Sequence, residues 1–143
     1  MPQPASIGSP RNVFERALRA IQDVQMDVYA DLFAADATLQ LPFAPPGVPR
    51  RIEGQETIRA FLRAGAERLR AAPPQFQFRS IVVHETDDPE VIVTEFEVHG
   101  LAAGEPYQFS NLQVITVRNG EIASLRDYWN PLDRPELAAL AGG

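Results

Sequence analysis

Apolar residues recur at helical spacing through the first third of the chain and alternate through its second half. Phe14, Ala17, Leu18 and Ile21 form the stripe of an amphipathic helix. Ser9-Pro10 supplies its N-cap and first helical position. Asp23 is placed to cap a second short helix carrying Val24, Val28, Leu32 and Phe33. Leu39, Leu41 and Phe43 alternate, so Ala37 to Phe43 is expected as a strand. Four prolines and two glycines between Pro42 and Gly54 predict a loop, either a cover for a site or a plain connector. Helical spacing returns from Gln55 to Ala72, with Ile58, Phe61, Leu62 and Leu69 on one side, until Pro73-Pro74 stops it.

From there to Asn130 the pattern is all strand: Phe76 to His84, Val91 to Leu101, Tyr107 to Arg118, then Glu121 to Asn130 after the hairpin signal Asn119-Gly120. Asn130-Pro131 predicts a short last helix ending near Leu140, capped by Asn130. Three helices followed by a meander of long strands is an α+β plan with the sheet curled over the helices. One domain is expected over residues 9–143, behind a flexible tail of residues 1–8.

Alternation divides the last three strands into two faces. One carries Ile92, Thr94, Phe96 and Val98, Leu112, Val114 and Thr116, and Ile122 and Tyr128. The other carries Glu95, Glu97 and His99, Phe109, Asn111 and Gln113, and Leu125, Asp127 and Trp129. The second face is either a wet surface or the wall of a cavity with a few convergent polar groups. Alternation alone leaves both open.

With 143 residues, 45% hydrophobic and 22% charged, the chain is long enough for a real core. A formal charge of −6 argues against nucleic acid or an anionic membrane as the partner. No apolar run approaches the roughly 20 residues needed to span a bilayer. Zero cysteines remove disulfides and thiolate chemistry, and two separated histidines, His84 and His99, do not by themselves make a zinc site. The expectation is a cytoplasmic protein without cofactor or metal.

Candidate chemistry centres on Asp127 in Leu125-Arg126-Asp127-Tyr128-Trp129-Asn130-Pro131. A carboxylate in an apolar, aromatic strand is costly unless solvated, paired or used. On a cavity wall it acquires an adjustable pKa, as proton transfer requires. If Glu95 and Glu97 share that wall, the three carboxylates form a coupled acid/base set; alternatively one or both sit at a wet rim or pair with Arg59, Arg63 or Arg68. Asn111 and Gln113 either hold a ligand oxygen or satisfy the carboxylates. Phe109 and Trp129 serve as apolar walls or as ordinary core.

Over nearly its whole length the chain resembles the nuclear-transport-factor-2-like superfamily, a cone of helices packed into a curved sheet. The resemblance rests on residues Asp31 to Leu39, Gly54 to Phe61, Gly120-Glu121-Ile122 and Arg126 to Pro131. The closing segment is most similar to the SnoaL-like branch, particularly the phenazine biosynthesis A/B proteins. That resemblance implies a pocket on the concave face, a second subunit on the convex face, and an acid/base at Asp127 working without cofactor.

Limonene epoxide hydrolase is similar at the end of the chain, where its second catalytic acid falls on Asp127. Its arginine and first acid fall on Glu95 and Glu97, and its water-holding tyrosine and asparagine on Leu39 and Leu41, so three of these groups are missing. Ketosteroid isomerase matches less: its base falls on Leu41, its oxyanion-hole tyrosine near Ala17, and a second donor near Gln113.

The expectation is therefore a homodimer holding a small, largely apolar, polycyclic molecule. Asp127 moves a proton in an isomerisation or cyclisation, Glu95 or Glu97 tunes it, and Asn111 or Gln113 holds the oxygen. Phe109, Trp129, Leu125, Leu39, Leu41, Ile21, Leu69 and His99 complete the binding surface. A non-catalytic binding or assembly module and a small hydrolase with a rearranged carboxylate set are the alternatives.

Overall fold

The backbone N–H of Asn12 donates to Ser9 Oγ at 3.2 Å, and Pro10 occupies the first turn, so the expected start signal opens α1 (Pro10–Gln22). The structure, a computed structural model, describes residues 8–68, 75–102 and 104–130. Most of the expected tail and the whole expected C-terminal helix lie outside them. After α1 come α2 (Met26–Asp31), β1 (Phe33–Gln40), β2 (Arg51–Glu53), α3 (Gln55–Arg68), β3 (Gln75–Glu85), β4 (Val91–Ala102), β5 (Glu105–Arg118) and β6 (Glu121–Trp129). The six strands form one open, mixed sheet in the order β2-β1-β6-β5-β4-β3. Only β1 and β6 run parallel among these neighbours.

The helices pack against one face of that sheet. Phe14 and Leu18 of α1 are buried as the stripe predicts, with the Phe14 ring 6.0 Å from Phe96 on β4. Phe78 meets Phe96 edge-on at 5.4 Å, continuing the aromatic contact onto β3. Fully burying a side chain such as Phe14 contributes about 1.5–3 kcal/mol. This helix-to-sheet seam carries the core.

The second helix differs from expectation. Asp23 and Val24 belong to the turn that ends α1, with the Asp23 N–H donating to Arg19 O and the Gln25 N–H to Ala20 O. Val24 has φ of 53° and is exposed, as is Val28, while Tyr29 and Ala30 are the buried residues of α2. The phase of the helix is set by that tight turn rather than by Asp23. Phe33 already belongs to β1, and the loop after Pro42 is broken by β2, whose Ile52 is buried opposite Leu39.

α2 is bound to α3 by charge. Arg59, with a side chain only 14% exposed, donates to Asp31 Oδ1 at 2.7 Å, Asp27 Oδ1 at 3.2 Å and the Asp27 carbonyl at 3.1 Å. Gln55 Nε2 meanwhile donates to the carbonyls of Ala30 and Phe33, where α2 gives way to β1. Of these acceptors, the Ala30 carbonyl belongs to the last turn of α2, where carbonyls lack an intrahelical partner.

Strand register corrects the two expected faces. Thr94 pairs with Gln113, Phe96 with Asn111 and Val98 with Phe109, whereas Glu95 pairs with Leu112 and Glu97 with Ser110. Paired residues project to the same side of a sheet. Ile92, Thr94, Phe96 and Val98 therefore share the inner, helix-covered face with Phe109, Asn111 and Gln113. Glu95, Glu97 and His99 lie on the outer face with Leu112 and Val114. The cause is the closing pair Ala102↔Glu105, which sets even-numbered β4 residues opposite odd-numbered β5 residues.

A second irregularity lies in β6. Pairing steps from Val117↔Ile122 to Thr116↔Ser124, so Ala123 is an extra residue. Ile122 is consequently buried, on the opposite side from Tyr128, with which alternation groups it.

Candidate functional site

β6 presents Leu125, Asp127 and Trp129 to the inner face, opposite Ile115, Gln113 and Asn111 of β5. Leu39 of β1 lies beside Leu125 on the other flank, and Leu39, Leu41, Leu125 and Phe109 are all buried. Into these apolar surroundings the sheet places one carboxylate, Asp127, half-buried. Asn111 Nδ2 donates to Asp127 Oδ1 at 2.7 Å. A bond to a charged acceptor is shorter and stronger than one between neutral groups. It also fixes the amide, because an ionised carboxylate can only accept.

The helices add a phenol. Tyr29 of α2 is buried, its ring edge-on to Phe33 at 5.3 Å. Burial, and after it the negative charge of Asp127, push the Tyr29 hydroxyl far above the usual phenol range. It stays protonated and remains a donor at any physiological pH. Sequence reading misses Tyr29 because it sets α2 in the wrong phase; a stripe through Met26, Tyr29, Ala30 and Phe33 is the signal that would find it.

Thr94 is the other residue that sequence reading leaves out of the site. It is fully buried and pairs with Gln113, which pairs with Asp127, so the three form one polar rung across β4, β5 and β6. Thr94 Oγ1 and Asn111 Oδ1 are buried without a hydrogen-bond partner among the described residues.

The other expected site residues are placed elsewhere. Glu95 Oε2 lies 2.7 Å from His84 Nε2, and Glu97 Oε1 lies 2.7 Å from His99 Nε2, both on the outer face. These glutamates therefore do not join Asp127; they lie at the solvent-facing side of the sheet, the alternative of a wet position, with histidines rather than Arg59, Arg63 or Arg68 as partners. His99 instead borders an open groove of about 360 Å3 with Phe76, Gln77, Arg79, Gly100 and Leu101. Ile21 is half-buried against the core, and Leu69 lies outside the described residues.

A second open groove, of about 420 Å3, runs past the end of β6. Asn111 and Trp129 reach it from the inner site, and Phe43, Leu112 and Tyr128 line it together with Glu95, Ser110 and Asn130. Among the described residues no three His, Cys, Asp or Glu side chains converge as a metal site requires. No helix among them is long and apolar enough to cross a membrane. The chemistry this arrangement can perform is proton transfer by one carboxylate, next to neutral donors that meet developing negative charge.

Comparison with known proteins adds a family model and close relatives. Residues 14–125 match the model of the SnoaL-like domain. An uncharacterized PhzA/B-like protein of Pseudomonas aeruginosa is 34% identical over 134 residues, covering 92% of this chain and 90% of its own. YesE of Bacillus subtilis is 30% identical over 130 residues, covering 85% and 86%. The crystal structure of a Bacillus subtilis protein superposes with a TM-score of 0.78 at 28% identity, over 93% of both chains.

Proposed function

The chain belongs to the SnoaL-like domain family, and from that premise we propose that it binds a small, largely apolar carbonyl compound on its inner sheet face and moves a proton on it. The observation that carries this reading is the Asn111–Asp127 hydrogen bond of 2.7 Å, with the charge of Asp127 felt by the buried Tyr29 hydroxyl. An acid held by a neutral amide, beside a phenol kept protonated, supplies a base and an oxygen donor in one place.

In the proposed reaction Asp127 removes a proton from the carbon next to the carbonyl. The C–H pair moves into a new carbon–carbon double bond, and the carbonyl pair moves onto oxygen. Tyr29 donates a hydrogen bond to that oxygen. In a β,γ-unsaturated ketone, return of the proton from Asp127 to the γ carbon as the carbonyl re-forms completes an isomerisation. Where the enolate carbon instead attacks a second carbonyl in the same molecule, that carbonyl's π pair moves onto its oxygen, which takes the proton from Asp127 and completes a cyclisation. One carboxylate suffices for both. The hydrolase alternative needs a second acid on the inner face, and Glu95 and Glu97 are turned away from it.

The proposal extends to assembly. Leu112, Val82 and the Phe43–Tyr128 aromatic pair leave apolar surface exposed on the outer side of the sheet, which suits a second copy of the chain.

Exchange of the α-protons of α-tetralone in heavy water, followed by proton NMR, tests the chemistry. The wild type is expected to accelerate exchange, and Asp127→Asn to remove about 10²- to 10⁴-fold of that acceleration. Equal exchange by the two proteins sinks Asp127 as the base. Binding of the ketone without any exchange favours a pure binding module.

A further inference from the structure

We infer that the molecule held on the inner face carries a hydroxyl group in addition to its carbonyl, and that Thr94 and Asn111 together select it. The inference rests on the reading above for the presence of a carbonyl ligand at this face. What it adds is the ligand's second functional group, drawn from two polar atoms that proton transfer leaves unused.

Asn111 is 7% exposed and Thr94 is 0% exposed. The Asn111 amide is turned by Asp127, which takes its Nδ2 hydrogen and so commits Oδ1 to the opposite direction. That oxygen is buried and has no partner among the described residues, and the same holds for Thr94 Oγ1. Buried polar atoms almost always have partners, and an orphan costs the full desolvation of the group. Two orphans side by side on one wall call for a common explanation.

Their chemistry narrows what meets them. Asn111 Oδ1 accepts only, so a ketone or ether oxygen there would set acceptor against acceptor. Thr94 Oγ1 both donates and accepts. Thr94 faces Gln113 while Asn111 faces Phe96, so the two are diagonal neighbours on the same side of β4 and β5. Diagonal positions on an antiparallel pair are roughly 7–8 Å apart, with side-chain atoms closer. One hydroxyl between them gives its hydrogen to Asn111 Oδ1 and takes one from Thr94 Oγ1. The substrate class is then a hydroxy-substituted cyclic ketone. A plain ketone of the same shape leaves both atoms orphaned, and discrimination by unpaired polar groups is stronger than discrimination by size.

The test measures binding by quenching of Trp129, the one tryptophan of the chain, which lies on the same face. The probes are α-tetralone, its monohydroxylated derivatives and the matching methyl ethers. At least one hydroxy derivative is expected to bind the wild type about tenfold tighter than α-tetralone. Thr94→Val should reduce that preference to near unity, and Thr94→Ser should keep it. If Thr94→Val does not fold, the ethers decide, since methylation removes the hydrogen that Asn111 requires and must cancel the preference.

Equal binding by all the probes, no quenching by any of them, or a preference that survives both Thr94→Val and methylation overturns the inference. Proton exchange on the same compounds is a separate readout. A hydroxyl preference without exchange removes the proposed catalysis alone, and exchange without a hydroxyl preference removes this inference alone.

Discussion

Asn111 reaches Asp127 along a diagonal: the register sets Gln113 opposite Asp127 and Trp129 opposite Asn111, yet the 2.7 Å hydrogen bond joins Asn111 to the carboxylate. The bond therefore ties two successive rungs of the β5–β6 ladder and fixes both side chains. Asn111→Ala removes the donor while leaving the carboxylate half-buried. A hydrogen bond to a charged group is worth about 1.5–3 kcal/mol, so unfolding in urea should show a loss of that order. Unchanged stability would mean that solvent replaces the amide at no cost.

Glu95 and Glu97 supply the matching negative prediction. Both are held by histidines on the outer face, so Glu95→Gln and Glu97→Gln should leave α-proton exchange within about twofold, as surface changes remote from the site do. A loss comparable to that of Asp127→Asn in either variant would contradict the strand register.

How these three acids are distributed shows what the chain made legible. α1, α3 and the four long strands β3 to β6 follow from spacing, and the apolar stripe Phe14, Ala17, Leu18 and Ile21 does turn inward. The hairpin at Asn119-Gly120 forms as its residues predict, both having positive φ. Alternation within β4 and β5 is equally readable, and within β6 it holds from Ser124 onward. Phase between strands is not readable, because it depends on the closing pair Ala102↔Glu105 and on the extra residue Ala123, neither of which has a compositional mark. A one-residue change in either turns a whole set of side chains over. That is why Asn111, Gln113 and Asp127 group correctly while Glu95, Glu97 and His99 do not. Tyr29 was hidden for a related reason: two residues spent in the turn after α1 rotate α2 onto a different face.

Tyr29 predicts a pH dependence. Its hydroxyl ionises near pH 10.0 in an unfolded chain and well above that when buried near Asp127. Between those values the unfolded state binds fewer protons than the native state, so stability falls as pH rises. The contribution is complete below pH 10.0 and declines above it. Ultraviolet titration should find one tyrosine that ionises only as the protein unfolds, and Tyr29→Phe should flatten the alkaline decline in stability. Ordinary titration of all three tyrosines would place Tyr29 in solvent.

The outer face carries a prediction about assembly. If Leu112, Val82 and the Phe43–Tyr128 pair are covered by a second copy, Leu112→Glu puts a charge into that contact. Sedimentation should show a wild-type dimer and a folded Leu112→Glu monomer. A wild type that stays monomeric across the accessible concentration range rules the dimer out.

Arg59 connects the electrostatics to the geometry of the site, because the helix it holds carries Tyr29. Hydrogen bonds from Arg59 first, and then from Arg63, keep the Asp27 carboxyl below its usual value of 3.8. A depressed carboxyl stabilises the fold above its unfolded pKa and loses that contribution as pH falls through the folded value. Arg59→Ala removes the clasp on Asp27 and Asp31, so it should lower the melting temperature at neutral pH. The gap to wild type should narrow as the pH falls below 3.8 and through the lowered folded value of the Asp27 carboxyl, where the charge that Arg59 grips is lost. A gap that stays constant from neutral to acid pH would assign the loss to packing of the arginine stem rather than to its charge. Because α2 also sets the position of the Tyr29 hydroxyl, Arg59→Ala should slow α-proton exchange even where the protein remains fully folded. Exchange at the wild-type rate in that variant would show that α2 holds Tyr29 in place without the clasp.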